Sequence, residues 1–155
     1  MGKLFTEEVG KLLTRLLGNY LTTALGKVLD IHILFTSVSE MLQNLNASKA
    51  DNSYYQRVSY YLGPDLLVLD ELGFKKLPGY SADDFFEIIS KRYEKSSLII
   101  TTNKTFEQWT DIFTDGVLAG AIIDRIVHYS TIIMIKGPSY RTRNLKKGGD
   151  KKSIS

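Results

Sequence analysis

Two adjacent acids, Asp70 and Glu71, stand directly after four apolar residues, Leu66-Leu67-Val68-Leu69, and just before Leu72-Gly73-Phe74. A run that is apolar at every position predicts a strand buried on both faces, as in a parallel sheet covered by helices. Ending that strand in two carboxylates sets them at the carboxyl edge of the sheet, where open α/β folds receive ligands. An acid pair there is costly unless something uses it. The chemistry that fits is metal-assisted phosphoryl transfer. One carboxylate holds Mg²⁺, directly or through a water, and the next orients or deprotonates the water that attacks a γ-phosphate. This is the Walker B pattern. The plainer reading of the same residues is a pair of solvated acids in a turn.

Four further positions could join such chemistry. Asn103 follows the apolar, β-branched run Leu98-Ile99-Ile100-Thr101-Thr102. An amide at the end of a neighbouring strand can hydrogen-bond both a γ-phosphate and the attacking water, although Asn after a strand is also a common turn residue. Arg125, in Ile122-Ile123-Asp124-Arg125-Ile126, reads either as a surface residue complementing a helix C-terminus or as an arginine finger acting across a subunit boundary. Arg141 and Arg143 could sense nucleotide or meet DNA phosphate. His32 and His128 have no neighbouring His or Cys with which to form a metal site and read as structural. Trp109, at helical spacing from Phe106, reads as core.

The elements that must position these residues alternate. Val9, Leu12, Leu13, Leu16, Leu17, Tyr20 and Leu21 recur at three- and four-residue spacing and predict an amphipathic helix, with Gly26 as its stop. Ile31–Phe35 predicts a strand, and Val38, Met41, Leu42 and Leu45 a helical stripe capped by Thr36-Ser37. A second helix over Tyr54–Tyr61 is broken by Gly63-Pro64. After the acid-tipped strand, Ser81 with Asp84 has the form of a capping box that opens a helix carrying Phe85, Phe86, Ile88, Ile89 and Tyr93. The Leu98–Thr102 strand completes a βαβ unit, which closes right-handed. Helices over Thr105–Phe113 and Val117–Val127 and a last strand over Thr131–Ile135 follow. Strands alternating with helices predict an α/β three-layer sandwich with a mostly parallel sheet.

Bulk properties narrow the class. A chain of 155 residues that is 43% hydrophobic suits one compact core. The absence of cysteine excludes a disulfide framework and a Cys-ligated metal site, and it suits a cytoplasmic setting. Apolar runs fall far short of the ~18 residues that cross a bilayer, so no membrane partner is expected. The net charge of +3 is uneven: residues 141–155 hold six bases against one acid, and residues 1–140 carry a net of −2. The chain therefore divides into a core, residues 1–140, and a basic tail, residues 141–155. Such a tail is either a solvated terminus or a phosphate-backbone contact.

From Leu34 to Arg143 the chain resembles the IstB-like/DnaC-like ATPases of the AAA+ class. Four segments carry the likeness: Leu66–Phe74, Ile99–Asn103 with Phe106 and Trp109, Val117–Arg125, and Ser139-Tyr140-Arg141. The resemblance implies a P-loop NTPase fold with ATP and Mg²⁺ as cofactors. It makes Asp70 the Mg²⁺-holding Walker B acid, Glu71 its catalytic partner, Asn103 a sensor 1 residue, Arg125 a finger on a neighbouring subunit, and Arg141 a sensor-2-like nucleotide contact. It also implies homo-oligomers on double-stranded DNA that assist a transposase or, in the helicase-loader branch, deliver a replicative helicase.

The departure lies at the amino end. No G-x-x-x-x-G-K-[ST] string occurs: Gly2-Lys3, Gly10-Lys11 and Gly26-Lys27 are followed by Leu4, Leu12 and Val28. By distance to the Ile31 strand, Gly18–Gly26 stands in the place of the phosphate loop, with Asn19 where its Lys belongs and Tyr20 where its Mg²⁺ hydroxyl belongs. The fold is thus expected to be amino-terminally truncated. Without the loop amides and Lys, weak ATP binding and turnover follow. Three functions stay open: a transposition ATPase damaged at its P-loop, a non-catalytic interaction module, and a decayed element copy. The tail reading is testable by salt titration of duplex DNA binding. Ending the chain at Ser139 should weaken binding and flatten the slope of log K against log salt. An unchanged slope would remove the tail from the interface.

Overall fold

A computed structural model describes residues 26–73, 76–77, 79–113 and 115–135. The Val9–Leu21 helix, Asn19, Tyr20 and the tail with Arg141 and Arg143 lie outside the described residues. A helical turn, α1, covers Gly26–Leu29. Gly26 therefore lies within a helical turn rather than ending one. The chain leaves at Asp30, whose φ of 53° is left-handed, a conformation that Asp tolerates better than most residues.

Strands β1 (Ile33–Ser37), β2 (Leu66–Leu72) and β3 (Ser97–Thr102) form one sheet in the order β1-β2-β3. Both pairings are parallel, with Phe35, Val68 and Ile99 in one register row. Parallel neighbours need crossovers. α2 (Val38–Ser48) and α3 (Tyr54–Leu62) link β1 to β2, and α4 (Gly79–Arg92) links β2 to β3. A 3₁₀ turn (Phe106–Asp111) and α5 (Gly116–His128) follow.

Local chemistry sets the boundaries. Ser37 caps α2 by accepting the Glu40 amide at 3.1 Å. Asp115 caps α5 by accepting the Val117 and Leu118 amides at 2.8 and 3.3 Å. α3 ends at Leu62 with Gly63 as its cap, still helical in conformation and donating its amide to the Ser59 carbonyl at 2.9 Å, and Pro64 has no N–H with which to continue the helix. Leu67, Leu69 and Leu72 of β2 are fully buried against Met41 and Leu45 of α2, Tyr61 of α3, Phe85 and Ile88 of α4 and Ile122 of α5. Each such burial is worth about 1.5–3 kcal/mol. Trp109 is buried in the same core, as its spacing predicted.

Three expectations fail. α4 opens at Gly79, so Ser81 and Asp84 are buried inside the helix and form no capping box. Asp84 instead accepts from Lys49 Nζ at 2.8 Å and the Tyr54 hydroxyl at 2.8 Å, tying α4 to the end of α2 and the start of α3. Thr105–Phe113 makes only a 3₁₀ turn, capped by Thr105 and Gln108. Thr131–Ile135 forms no strand, and Ile132, Ile133, Met134 and Ile135 are exposed. β propensity alone does not make a strand; a hydrogen-bonded neighbour is required, and β3 is the last strand among the described residues.

Arg92, at the end of α4, is 2% exposed. Its Nη1 donates to the carbonyls of Tyr61 and Leu62 at 3.0 and 3.2 Å, and its Nη2 to those of Pro64 and Ser97 at 3.0 and 2.7 Å. One guanidinium thus fastens the end of α3, the approach to β2 and the start of β3. Lysine cannot reproduce that planar fork. Arg92→Lys is therefore expected to lower the unfolding free energy by about 2–4 kcal/mol in urea titrations. A loss below about 0.5 kcal/mol would mean that these carbonyls find other donors.

Candidate functional site

The acid pair lies inside β2 rather than after it, at an irregularity in the pairing. Leu69 pairs with Ile100 and Leu72 with Thr102, so Asp70 and Glu71 together oppose the single residue Thr101. β2 thus carries one extra residue at this point, a bulge of the kind that re-aims side chains beside functional sites. Glu71 absorbs it by taking a φ of 61°. Left-handed backbone is unfavourable for a residue with a Cβ and persists only when its surroundings hold it.

Thr101 and Thr102 supply that hold. The Thr101 hydroxyl donates to Asp70 Oδ1 and accepts the Glu71 amide at 3.1 Å. Thr102 Oγ1 donates to the Leu72 carbonyl at 2.8 Å and accepts the Lys104 amide at 3.1 Å. Asp70 is 8% exposed, and a carboxylate so covered requires hydrogen-bond donors. On its other side, Asp70 is level with Ser37 at the end of β1. The polar ends of all three strands therefore meet at one rim.

Asn103 directly follows Thr102 and is exposed on the same rim, two residues from the threonine that touches both acids. Asp70, Glu71 and Asn103 are thus brought together, with donors and acceptors suited to a phosphate, a hydrated cation or a water. Arg125 is not among them. Its Nη1 donates to the Ala121 carbonyl at 3.0 Å, and its guanidinium lies 4.8 Å from the Phe86 ring centre, a cation–π contact. It shares a cleft between α4 and α5 with Ser90, Tyr93, Asp124, Val127 and His128. α4 runs from the carboxyl end of β2 back to the start of β3, so this cleft beside its last turns lies toward the opposite end of the strands. The His128 ring bonds the Tyr93 hydroxyl at 2.7 Å, which suits its structural reading. The His32 amide donates to Asp65 Oδ2 at 2.8 Å.

Sequence reasoning passed over Thr101, because a threonine in a β-branched run looks like an ordinary strand former. No residue pattern marks the bulge, which exists only as a mismatch between two strands.

A parallel sheet with covering helices and an acid pair at the carboxyl end of its middle described strand defines an α/β protein with a candidate ligand-binding rim. The fold matches that of the replication initiator DnaA bound to AMPPCP and single-stranded DNA, with a TM-score of 0.58 at 19% identity over 77% of this chain and 35% of that one. It also matches AMPPCP-bound DnaA from Aquifex aeolicus, with a TM-score of 0.53 at 19% identity over 68% of this chain and 34% of that one. Residues 18–148 match the family described as IstB-like ATP binding protein, and the chain belongs to that family. Among its relatives is a protein of insertion sequence IS232 from Bacillus thuringiensis subsp. berliner, named for ATP binding, 40% identical over 71% of this chain and 44% of the relative. Another, of insertion sequence IS21 from Pseudomonas aeruginosa and named likewise, is 38% identical over 76% of this chain and 44% of the relative. The chain spans less than half the length of these relatives. Among the described residues, no helix is long and apolar enough to cross a membrane.

Gly73 closes the site with a φ of 87°, and a Cβ placed on it would fall 2.7 Å from Ile112 Cδ1 and 2.9 Å from Lys104 Cγ. Gly73→Ala is therefore expected to cost about 1–3 kcal/mol in thermal or urea unfolding. Gly120→Ala, whose added methyl meets nothing within 4 Å inside α5, is expected to gain about 0.5–1 kcal/mol. Equal effects from the two substitutions would refute the constraint at Gly73.

Proposed function

We propose that this chain is a nucleotide-responsive, DNA-associated helper of transposition that retains the water-activating and metal-holding half of an ATP site. The observation that carries the reading is the convergence of Asp70, Glu71 and Asn103 on one rim of the parallel sheet, in a chain of the IstB-like family. In this reading Asp70 holds Mg²⁺, directly or through a water, which suits a hard oxygen donor. Glu71 orients or deprotonates the attacking water, and Asn103 hydrogen-bonds that water and the γ-phosphate. A cation bound there would supply charge neutralisation to a phosphate.

The phosphate cradle is the weak half. The sequence supplies no G-x-x-x-x-G-K-[ST] string, so loop amides and a lysine for the β- and γ-phosphates are not contributed in the usual form. ATP turnover by this chain alone is accordingly slow, and its binding loose. Arg125, held against Phe86 away from the acid pair, would reach a phosphate only in a neighbouring copy. That supports assembly into homo-oligomers. The core, residues 1–140, would make these contacts, while the basic tail, residues 141–155 with Arg141 and Arg143, would add nucleotide or DNA phosphate contacts. Relatives named for insertion sequences support duplex DNA and a transposase as cytoplasmic partners.

The test is Mg-ATP binding, followed with a fluorescent nucleotide, together with phosphate release on duplex DNA. Glu71→Gln keeps the shape of the side chain but removes its basicity. Any turnover should fall by about 100-fold or more in this variant while binding persists. Turnover unchanged by Glu71→Gln would overturn the assignment of the acid pair, and absence of both binding and turnover would favour a non-catalytic interaction module.

A further inference from the structure

The described part of the site contains one side chain that touches both acids, and it is neither of the residues that would meet phosphate or water. We infer that Thr101 is the positioning residue of this site: its hydroxyl holds Glu71 in a left-handed backbone and so aims the Glu71 carboxylate. The inference rests on the reading of Glu71 as the water-orienting base and deepens it.

The hydrogen-bond inventory fits a hydroxyl closely. An alcohol has one hydrogen to give and lone pairs to receive. Thr101 Oγ1 gives its hydrogen to Asp70 Oδ1 and receives that of the Glu71 amide at 3.1 Å. A carboxylate accepts only and an amide N–H donates only, so Asp70 and the Glu71 backbone could not bond a common group that lacks both functions. Valine has the same shape and strand preference but neither function. Serine has both.

The geometry makes this bond consequential. Asp70 and Glu71 face one residue of β3, so the regular β2–β3 register is interrupted here. In ordinary pairing the Glu71 amide would point to a backbone carbonyl; here it is met by a side chain. The φ of 61° at Glu71 carries a backbone penalty that must be offset locally. Thr102 fixes the Leu72–Gly73 peptide through the Leu72 carbonyl at 2.8 Å, so the chain is held on both sides of Glu71. Because Asn103 follows these threonines directly, displacement of Asn103 by a phosphate would pull on the same strand end that holds Glu71.

The experiment compares Thr101→Val and Thr101→Ser in the full chain, with circular dichroism to establish folding. Amide hydrogen exchange at Glu71, followed by NMR, should quicken by about 10-fold in Thr101→Val and return close to the parent rate in Thr101→Ser. Where Mg-ATP turnover is present, Thr101→Val should lower kcat by about 10–100-fold with little change in nucleotide Kd, and Thr101→Ser should restore it. Equal exchange at Glu71 in the valine variant and the parent would overturn the clamp. So would a serine variant as impaired as the valine one, which would mean that packing rather than the hydroxyl matters. A parent chain without turnover whose Glu71 amide still responds to valine and not to serine would uphold the clamp and count against the catalytic reading of Glu71, so the two failures are distinct.

Discussion

The buried guanidinium of Arg92 is the constraint on which the arrangement of the strands rests. A charge taken out of water must recover its hydration from the protein, and here it does so from backbone carbonyls of three segments distant in sequence. The end of α3, the approach to β2 and the first residue of β3 are thereby held around one planar group. Burial lowers the pKa of Arg92, and the charge of Asp65 nearby works in the opposite sense. Hydrophobic packing alone would let parallel strands slide by two residues while keeping the same faces inward. Carbonyls converging on one guanidinium do not permit that slide.

Fixing the amino ends has a consequence at the carboxyl ends. β2 and β3 run in register from Leu66 with Ser97 to Leu69 with Ile100, and then β2 has one residue too many. The surplus cannot be passed back toward Arg92, so it is taken up at Asp70 and Glu71. What the core requires, three fully buried leucines on one face of β2, therefore forces the reversed backbone that sets Glu71 apart from the regular strand. Gly73 is part of the same settlement. The chain returns toward Ile112 and Lys104 so closely that a side chain would not fit.

Much of this is legible in the amino-acid sequence. Leu66–Leu69 is read as a strand because burial on both faces leaves a continuous apolar run, and Val38, Met41, Leu42 and Leu45 as a helix because their period is helical. Leu98–Thr102 is also a strand, but its apolar run does not report burial, since its residues are exposed or half-buried. The rim that joins Asp70, Glu71 and Asn103 follows from the parallel pairing of two such strands. The failures share a cause. Thr131–Ile135 has the composition of a strand, but pairing depends on a neighbour that composition cannot report. Ser81 and Asp84 have the spacing of a cap, but Lys49 and Tyr54, from elements earlier in the chain, claim Asp84. The bulge and the role of Thr101 are relations between strands, with no trace in either one.

The position of Arg125 bears on how a site of this kind is completed. Its guanidinium is held by the Ala121 carbonyl and the Phe86 ring, in the last turn of a helix whose end is tied through His128 to Tyr93, the residue just after α4. Swinging it to the acid pair of the same chain would require α5 to leave the core, where Ala119 and Ile122 are fully buried. The cation and the acids are thus separated along the strand direction by the fold itself. A molecule with complementary groups at two different surfaces associates head to tail, and such heterologous contacts repeat into rings or open helical filaments rather than closing as a two-fold dimer. In the proposed reading, a filament is the outcome that suits duplex DNA, because a helical array of copies can follow the helical repeat of phosphates. In the proposed reading, Arg125 would then serve as a finger only on a neighbouring copy, so phosphoryl chemistry would be tied to assembly rather than to the single chain.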